Sequence, residues 1–512
     1  MGFNYLAVAC PFLLPISYIW DVVSYWRIIF KYWASSGSGA ARHVDKVAMV
    51  QEQVRARNGR QMCTARPSWM SISQQRLGYK DRMHRIRLDF LHDIVNVDSD
   101  KMEVSVEPNI TIGYLNRALV RLGYTLPVVP ELDNLTIGGL INGGGIESTS
   151  HKYGLFQHIA TAYEIVLANG DVINVSKTHN SDYFYATAMS YGTLGFVTKV
   201  TLKIVEYKPF IKLTYRPCFS LDETIKCFSD QTMKDTENDS VEGIAFTKDT
   251  SVIMTGQFVG QESVDWSKVN RMGAWYKPWF YQYVRSFLQE GGKERVYVEY
   301  VPTLDFHQRH NKPCFWMSHI WLPWADQAWA RYLLGWLLPM NYQLLSWLKE
   351  TFIGDEFEDC FMLQDFILPL HHVKESLEMN DELTHIYPVW LVPSKLYFPD
   401  LPQSIKPHAG DVMYVDVGVY GNSPLPKYVG RTKALRAFER FTLEHQGYQA
   451  LYAETLMPQN EFDEMFPREL YDKARAAYPE TMEAFPEVYN KISSLARSSK
   501  SNQNNNDTRK MK

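Results

Sequence analysis

The sequence predicts an α+β protein of two folded units behind one N-terminal membrane helix. Three observations carry this expectation. Short strands and amphipathic helices alternate from Val44 onward, the texture changes at Pro209 and Pro217, and the run from Leu6 to Phe30 is almost wholly apolar. At 512 residues the chain has room for two or three domains. Its 46% hydrophobic and 21% charged residues exclude a mainly disordered, collagen-like or coiled-coil protein. Lys+Arg 53 against Asp+Glu 57 leaves a net charge of −4, so no nucleic-acid partner is expected. Six scattered cysteines without a CxxC pair suggest neither a disulfide framework nor a zinc site, and fit a reducing compartment.

The elements follow in chain order. Leu6 to Phe30 is long enough to span a bilayer, with Asp21 near one interface and Pro11 and Pro15 kinking it. No Lys or Arg precedes Arg27, whereas Arg27, Lys31, Arg42 and Lys46 follow. The positive-inside rule then makes residues 1–31 a single-pass anchor with a cytoplasmic body. A cleaved signal peptide, suggested by the small residues Ala34-Ser35-Ser36, fits less well because the positive leading region is missing. A cytosolic body also spares Asn134, a glycosylation sequon two residues before the glycine-rich segment below.

A Ser/Gly linker leads to a polar helix from Val44 to Arg57. Ile94–Val97 and Met102–Val106 read as strands around Asp98-Ser99-Asp100. Thr111 reads as the N-cap of a helix with Leu115, Leu119 and Leu122 on one face, ending at Gly123. An apolar strand from Ile159 to Leu167, the turn Asn169-Gly170, Val172–Val175 and the alternating stretch Gly192–Val205 complete a first unit over residues 44–208. Residues 209–430 mix strands with aromatic-rich helices, as suits a cap over a substrate. Residues 431–496 are expected to pack back on the first unit, and the polar, Asn-rich residues 497–512 to be disordered.

The sharpest motif is TIGGLINGGGIES: Thr136, Ile137, Gly138, Gly139, Leu140, Ile141, Asn142, Gly143, Gly144, Gly145, Ile146, Glu147 and Ser148. Five glycines in thirteen residues let backbone N–H groups approach a ligand such as a phosphate, and they equally suit a tight buried turn. It is neither a Walker A loop, lacking the Lys-Ser/Thr, nor a Rossmann fingerprint, lacking a preceding strand and a clear helix after it. His151 follows it directly and either lines the loop or serves as a hydrogen-bonded structural histidine.

This segment and the SDYFYATAMSYGTLGFVTKVTL stretch (Ser181–Leu202) resemble the FAD-binding domain of the vanillyl-alcohol oxidase family. Tyr276–Phe280 (YKPWF), Ala330–Trp336 (ARYLLGW), His385–Pro393 (HIYPVWLVP) and Ala484–Ile492 (AFPEVYNKI) resemble one of its branches, the delta-24 sterol reductases, over nearly the whole chain. The resemblance implies a two-part FAD domain of that type, with the motif, His151 and Gly195 at the cofactor. It also implies an α+β cap and NADPH-driven reduction of a sterol side-chain double bond at the endoplasmic reticulum or Golgi membrane. The histidine that often bonds the flavin covalently in that superfamily has no counterpart in Cys63–Trp69, so the expected FAD is dissociable.

Reducing an isolated alkene requires an acid, since there is no carbonyl to polarise. Tyr300, His307, His310 and Glu147 are the candidates from sequence. No metal is expected: His307-x-x-His310 lacks a third ligand, and His371-His372 has no supporting pattern. Residues 320–348, rich in Trp, read as an interfacial segment admitting sterol from the bilayer, or else as an amphipathic core helix. Two alternatives stand at this stage: a flavin oxidase of the same superfamily, and a catalytically inactive membrane-bound sterol-binding or scaffold protein.

Overall fold

In the computed structural model the described residues are 14–20, 22–23, 26, 39–67, 78–233, 238–289, 296–338, 361–396, 412–425 and 428–496. The first helix, Gly39–Arg55, buries Val47, Val50 and Val54 along one face, a helical spacing. Strands β1 (Met62–Thr64) and β2 (His84–Ile86) pair in parallel. β3 (Ile94–Asp98) and β4 (Glu103–Val106) form the expected hairpin. The Thr111 side chain caps the next helix, Ile112–Val120, by accepting from the Tyr114 N–H. That helix ends before Leu122, which is exposed.

β5 (Tyr124–Thr125) precedes a helix at Ile137–Gly143. That helix lies inside the glycine-rich segment, where the high helical cost of glycine hid it from sequence reasoning. β6 (Ala160–Val166) and β7 (Val172–Ser176) turn at Gly170, whose φ of 88° is the left-handed conformation the hairpin requires. β8 (Phe196–Lys203) lies between β4 and β6, making a sheet ordered β3-β4-β8-β6-β7. β9 (Val205–Glu206) pairs with β5 and ends this unit.

The cap is an eight-stranded antiparallel sheet. It comprises β10 (Phe210–Cys218), β11 (Ser240–Thr247), β12 (Thr250–Val259), β13 (Tyr297–Pro302), β14 (Phe361–Pro369), β15 (Val389–Lys395), β16 (Met413–Asn422) and β17 (Tyr448–Gln449). Their order is β13-β10-β12-β11-β15-β16-β14-β17. Alternate residues of each strand serve opposite faces. Val415, Val417 and Val419 join Phe228, Leu377 and Phe438 in a core under the helices Leu221–Met233, Val373–Leu383 and Arg431–Glu444. Leu363, Ile367, Trp390 and Tyr420 serve the other face, where Ile146 of the glycine segment packs.

Helix Arg431–Glu444 therefore belongs to the cap, with Phe438 stacked on Phe366 at 4.8 Å, and the expected boundary at residue 430 moves to after Gln449. Beyond it, Tyr471, Arg475 and Phe485 contact residues 193–196. Tyr471 hydroxyl meets Thr193 Oγ1 at 2.7 Å, Arg475 Nη1 donates to Thr193 O at 3.1 Å, and Phe485 packs on Phe196.

The expectation of an N-terminal membrane helix is corrected. Among the described residues no helix is long and apolar enough to cross a membrane. Within residues 14–20, Leu14 and Ser17 are fully buried, Leu14 in the cap core, and Tyr18 meets Trp336 edge-on at 5.4 Å. Hydropathy alone does not distinguish a segment that covers an aromatic protein face from one that faces lipid. Val22, Val23 and Trp26 are exposed, and the other residues of the expected anchor and the expected tail, residues 497–512, lie outside the described residues.

Candidate active site

The glycines divide into two kinds. A Cβ on Gly138 would stand 2.7 Å from the Pro108 side chain and one on Gly145 2.8 Å from Leu140, so these are glycines of close packing. Gly195 is the same kind, with the Val166 carbonyl at 2.9 Å, and its packing accounts for it without a cofactor. At Gly143, Gly144 and Gly192 nothing would come nearer than 3.8 Å, and Gly144 has φ 84°. At these three a side chain would meet only ordinary van der Waals neighbours, all of them side chains that carry polar groups: Tyr191, Gln157, Lys491 and Asn142. Tyr191 and Asn142 hold that geometry: the Tyr191 hydroxyl donates to Gly143 O at 3.3 Å, and Asn142 Oδ1 accepts from Gly192 N at 3.0 Å. The buried Gln157 Oε1, without a hydrogen-bond partner, lies 3.8 Å from where a Gly144 Cβ would be.

Three cations converge here from distant positions. Lys491 Nζ donates to Tyr191 O beside Gly192. Arg66 Nη1 donates to Thr136 Oγ1 at 3.1 Å, and Lys80 Nζ donates to Arg66 O at 2.7 Å. Burial, and next the charge of Lys80, push Lys491 down to about 8, while burial also lowers Lys80 and Arg66. Half-buried cations that repel one another beside a glycine-rich turn form a receptor for an anion. A dinucleotide pyrophosphate such as that of FAD fits it. Sequence reasoning missed all three residues, because 66, 80 and 491 share no local pattern.

The catalytic candidates meet a different fate. Arg309 Nη2 donates to Glu147 Oε1 and its Nε to Glu242 Oε1, both at 2.6 Å and fully enclosed. Burial would raise both carboxyls, but Arg309 outweighs it and holds both below the usual carboxylate range. Glu147 is thus an ionised clamp and no acid. His310 Nε2 bonds Glu242 Oε2 at 3.0 Å, and His307 Nδ1 pairs with the Asn116 amide at 3.0 Å. Burial pushes His307 down to about 4 and lowers His310. Both are neutral near pH 7 and poor proton donors, and neither carries a third metal ligand. Tyr300 is half-buried on the edge strand β13, facing away from the buried Glu299 and Val301. His151 bridges the Ser148 and Asn238 carbonyls, each at 3.0 Å, so it ties the glycine segment to the cap.

Comparison with known proteins decides the family. An FAD binding domain family matches residues 40–176. The chain is 39% identical over 495 residues to the delta(24)-sterol reductase of Macaca fascicularis, covering 95% of this chain and 93% of that one. It is 38% identical to the Homo sapiens enzyme over the same coverage, and 34% identical to that of Arabidopsis thaliana, covering 90% and 86%. The chain belongs to the delta(24)-sterol reductase family. This reductase is therefore an FAD-dependent oxidoreductase. An L-gulonolactone oxidase of Scyliorhinus torazame is 32% identical, but over only 23% of the chain, so the oxidase alternative lacks the whole-length support.

Other features of the reductase lie outside the glycine segment. On the cap face toward it, the buried Asp365 accepts from the Tyr420 hydroxyl, and buried Asp416 has no hydrogen-bond partner on either oxygen. Among the described residues one group has metal-ligand spacing: His372, Glu375 and His445, part-exposed beside the outer helices of the cap. The helix Ala328–Leu334 buries only Ala330, while Trp329, Tyr332 and Leu333 are exposed, which disfavours the core-helix reading of that segment. Residues 339–348 of the expected interfacial stretch, and Ser68 and Trp69, lie outside the described residues.

Proposed function

We propose that this reductase takes electrons from NADPH onto a dissociable FAD and uses them to reduce the 24,25 double bond of a sterol side chain. FAD-dependent sterol reduction follows from the family; the donor and the mode of flavin binding are our reading. The observation that carries it is the convergence of Arg66, Lys80 and Lys491 on the glycine segment, whose Ile146 and neighbour Tyr191 pack with Ile367, Tyr414 and Tyr448 of the cap sheet. These residues would hold the pyrophosphate. The described segment 63–67 has no histidine, and the buried Cys63 thiol is pushed up by burial, so it stays protonated and unreactive.

When bound and reduced, FAD supplies a hydride. The chain's own residues supply the rest. Arg309 locks the glycine segment to the cap through Glu147 and Glu242, fixing the distance between cofactor loop and cap face. The aromatic-lined cap core, with Trp316, Trp390 and Tyr420, excludes water and offers ring faces to a developing tertiary cation.

The sterol is insoluble in water, and the protein carries an exposed aromatic surface suited to its entry. Exposed Tyr332 meets exposed Trp275 and Tyr276 through ring contacts, Trp329 stacks on Trp324, and exposed Trp336 meets Tyr18. An aromatic belt of this kind suits a membrane interface. We place the enzyme at the cytoplasmic face of the endoplasmic reticulum membrane, taking NADPH and sterol in turn. The test is the absorbance of detergent-purified protein, mixed anaerobically with NADPH and then desmosterol. Bleaching by NADPH and recovery on sterol supports the reading, whereas bound flavin indifferent to both refutes it.

A further inference from the structure

We propose that Asp416 is the acid that protonates the sterol double bond, positioned by Asp365 and Tyr420. The inference rests on the functional reading above and names a residue for it.

Strand β16 places this side chain. Val415, Val417 and Val419 point into the core under the outer helices, so Asp416, Gly418 and Tyr420 point to the other face. In register, Asp416 lies opposite Val392 of β15 and Ile367 of β14. Ile367, Tyr414 and Tyr448 share one apolar cluster with Ile146 and Tyr191. Ile146 follows the last glycine of the cofactor segment, and Tyr191 donates to Gly143 O. Asp416 is therefore on the cap surface that fronts the cofactor loop.

The surroundings dictate its protonation state. The residue is 0% exposed, and neither Oδ1 nor Oδ2 has a hydrogen-bond partner. An ionised carboxylate without a cation or donor in such a place costs several kcal/mol, whereas the neutral acid costs far less. Burial, and then the nearby Asp365, push Asp416 well above the ordinary carboxyl range; burial pushes Asp365 to about 6. Asp365 is engaged by the Tyr420 hydroxyl, and the space that a Cβ on Gly418 would need is taken by that hydroxyl and by Asp365 Oδ1. The pair thus has a fixed member and a free one, and the free carboxyl carries the transferable proton.

The other acids are less suited. Glu147 and Glu242 are ionised against Arg309. Glu131 is also held neutral, by burial and by the charge of Glu147, and is the rival.

The balanced step is as follows. The alkene π pair takes the Asp416 proton and forms a C–H bond at the less substituted carbon. The tertiary carbon, left with positive charge, accepts the hydride carried from NADPH by way of FAD. The Asp416 carboxylate regains its proton from water admitted when the product leaves. One proton and one hydride are added, and NADPH is oxidised to NADP⁺.

The experiment uses the FAD-loaded full chain. Asp416→Asn substitutes one neutral group for another, so the fold is expected to survive; Asp416→Ser is read the same way if it does not. NADPH should bleach the flavin of the variant within roughly threefold of the wild-type rate, while reoxidation by desmosterol slows about 10²–10⁴-fold, and Asp416→Glu regains part of it. In the infrared difference spectrum the protonated-carboxyl C=O band should diminish in Asp416→Asn. Sterol reoxidation at the wild-type rate, or the loss appearing in Glu131→Gln instead, overturns the assignment. Wild-type flavin that neither NADPH nor sterol affects overturns the functional reading, and the assignment with it.

Discussion

Arg309 reaches from the cap to Glu147 of the glycine segment, its Nη2 2.6 Å from Glu147 Oε1, with the Arg309 side chain wholly enclosed. Its Nε holds Glu242 of β11 at the same distance, so one guanidinium joins the cofactor loop to the cap sheet. Arg309→Met leaves two buried carboxylates uncompensated and should cost about 3–5 kcal/mol in urea unfolding. Arg309→Lys should rescue little, since an ammonium lacks the planar fork that serves both partners. A triple variant with Glu147→Gln and Glu242→Gln should regain most of the loss. Unfolding curves that coincide with wild type for the single variant would refute the clamp.

His43 Nδ1 and Nε2 stand 2.9 and 2.8 Å from Glu107 and Glu164. Burial works against the charged imidazole, but the bonds to the two glutamates raise its pKa overall. A raised pKa contributes stability that is full below about pH 6.5 and is lost as pH rises through the folded value. Between pH 6 and pH 9 the wild type should lose on the order of 1–2 kcal/mol through this site, a loss absent in His43→Gln. Melting temperatures across that range check it, and parallel profiles would refute it.

Lys491→Met should weaken FAD binding by about 10–100-fold, the worth of a charge-assisted phosphate contact. Lys80→Met should act in the same direction. Flavin release followed by its fluorescence measures both. Because burial disfavours the charge of the half-buried Lys491, its removal should leave the melting temperature of the FAD-free protein unchanged or higher, which separates a cofactor contact from a structural one.

Replacing Trp329, Tyr332 and Trp336 together by Ala should lower binding to neutral phosphatidylcholine vesicles about tenfold or more, given the apolar area removed. Flavin absorbance should remain, since these side chains are exposed and far from the loop in sequence. Vesicle co-sedimentation decides it.

Local pattern made much of the first unit legible. The Thr111 cap, the Leu115 and Leu119 face, the turn at Gly170 and the alternation through Phe196, Val200 and Leu202 all depend on neighbours within a few residues. The glycine segment was legible as either a ligand loop or a tight buried turn, though not as a helix, because five glycines argue against helix where tertiary packing on Pro108 imposes it. The apolar N-terminal run was misread: its composition suits lipid, but Leu14 packs into the cap core.

From its sequence alone this protein is determined to be α+β, because strand alternation, helical spacing and turn residues are local signals, whereas the flavin came from resemblance to a known family. The tertiary structure decided what each charged group does. Glu147 became a clamp because Arg309, distant in sequence, is buried against it. Lys491 reached the cofactor loop because the C-terminal helices fold back onto the turn at Tyr191 and Thr193. Asp416 became a neutral acid because the sheet seals it away from water with no partner. Protonation state depends on solvation and on neighbours brought together by folding, and neither is written in the order of residues.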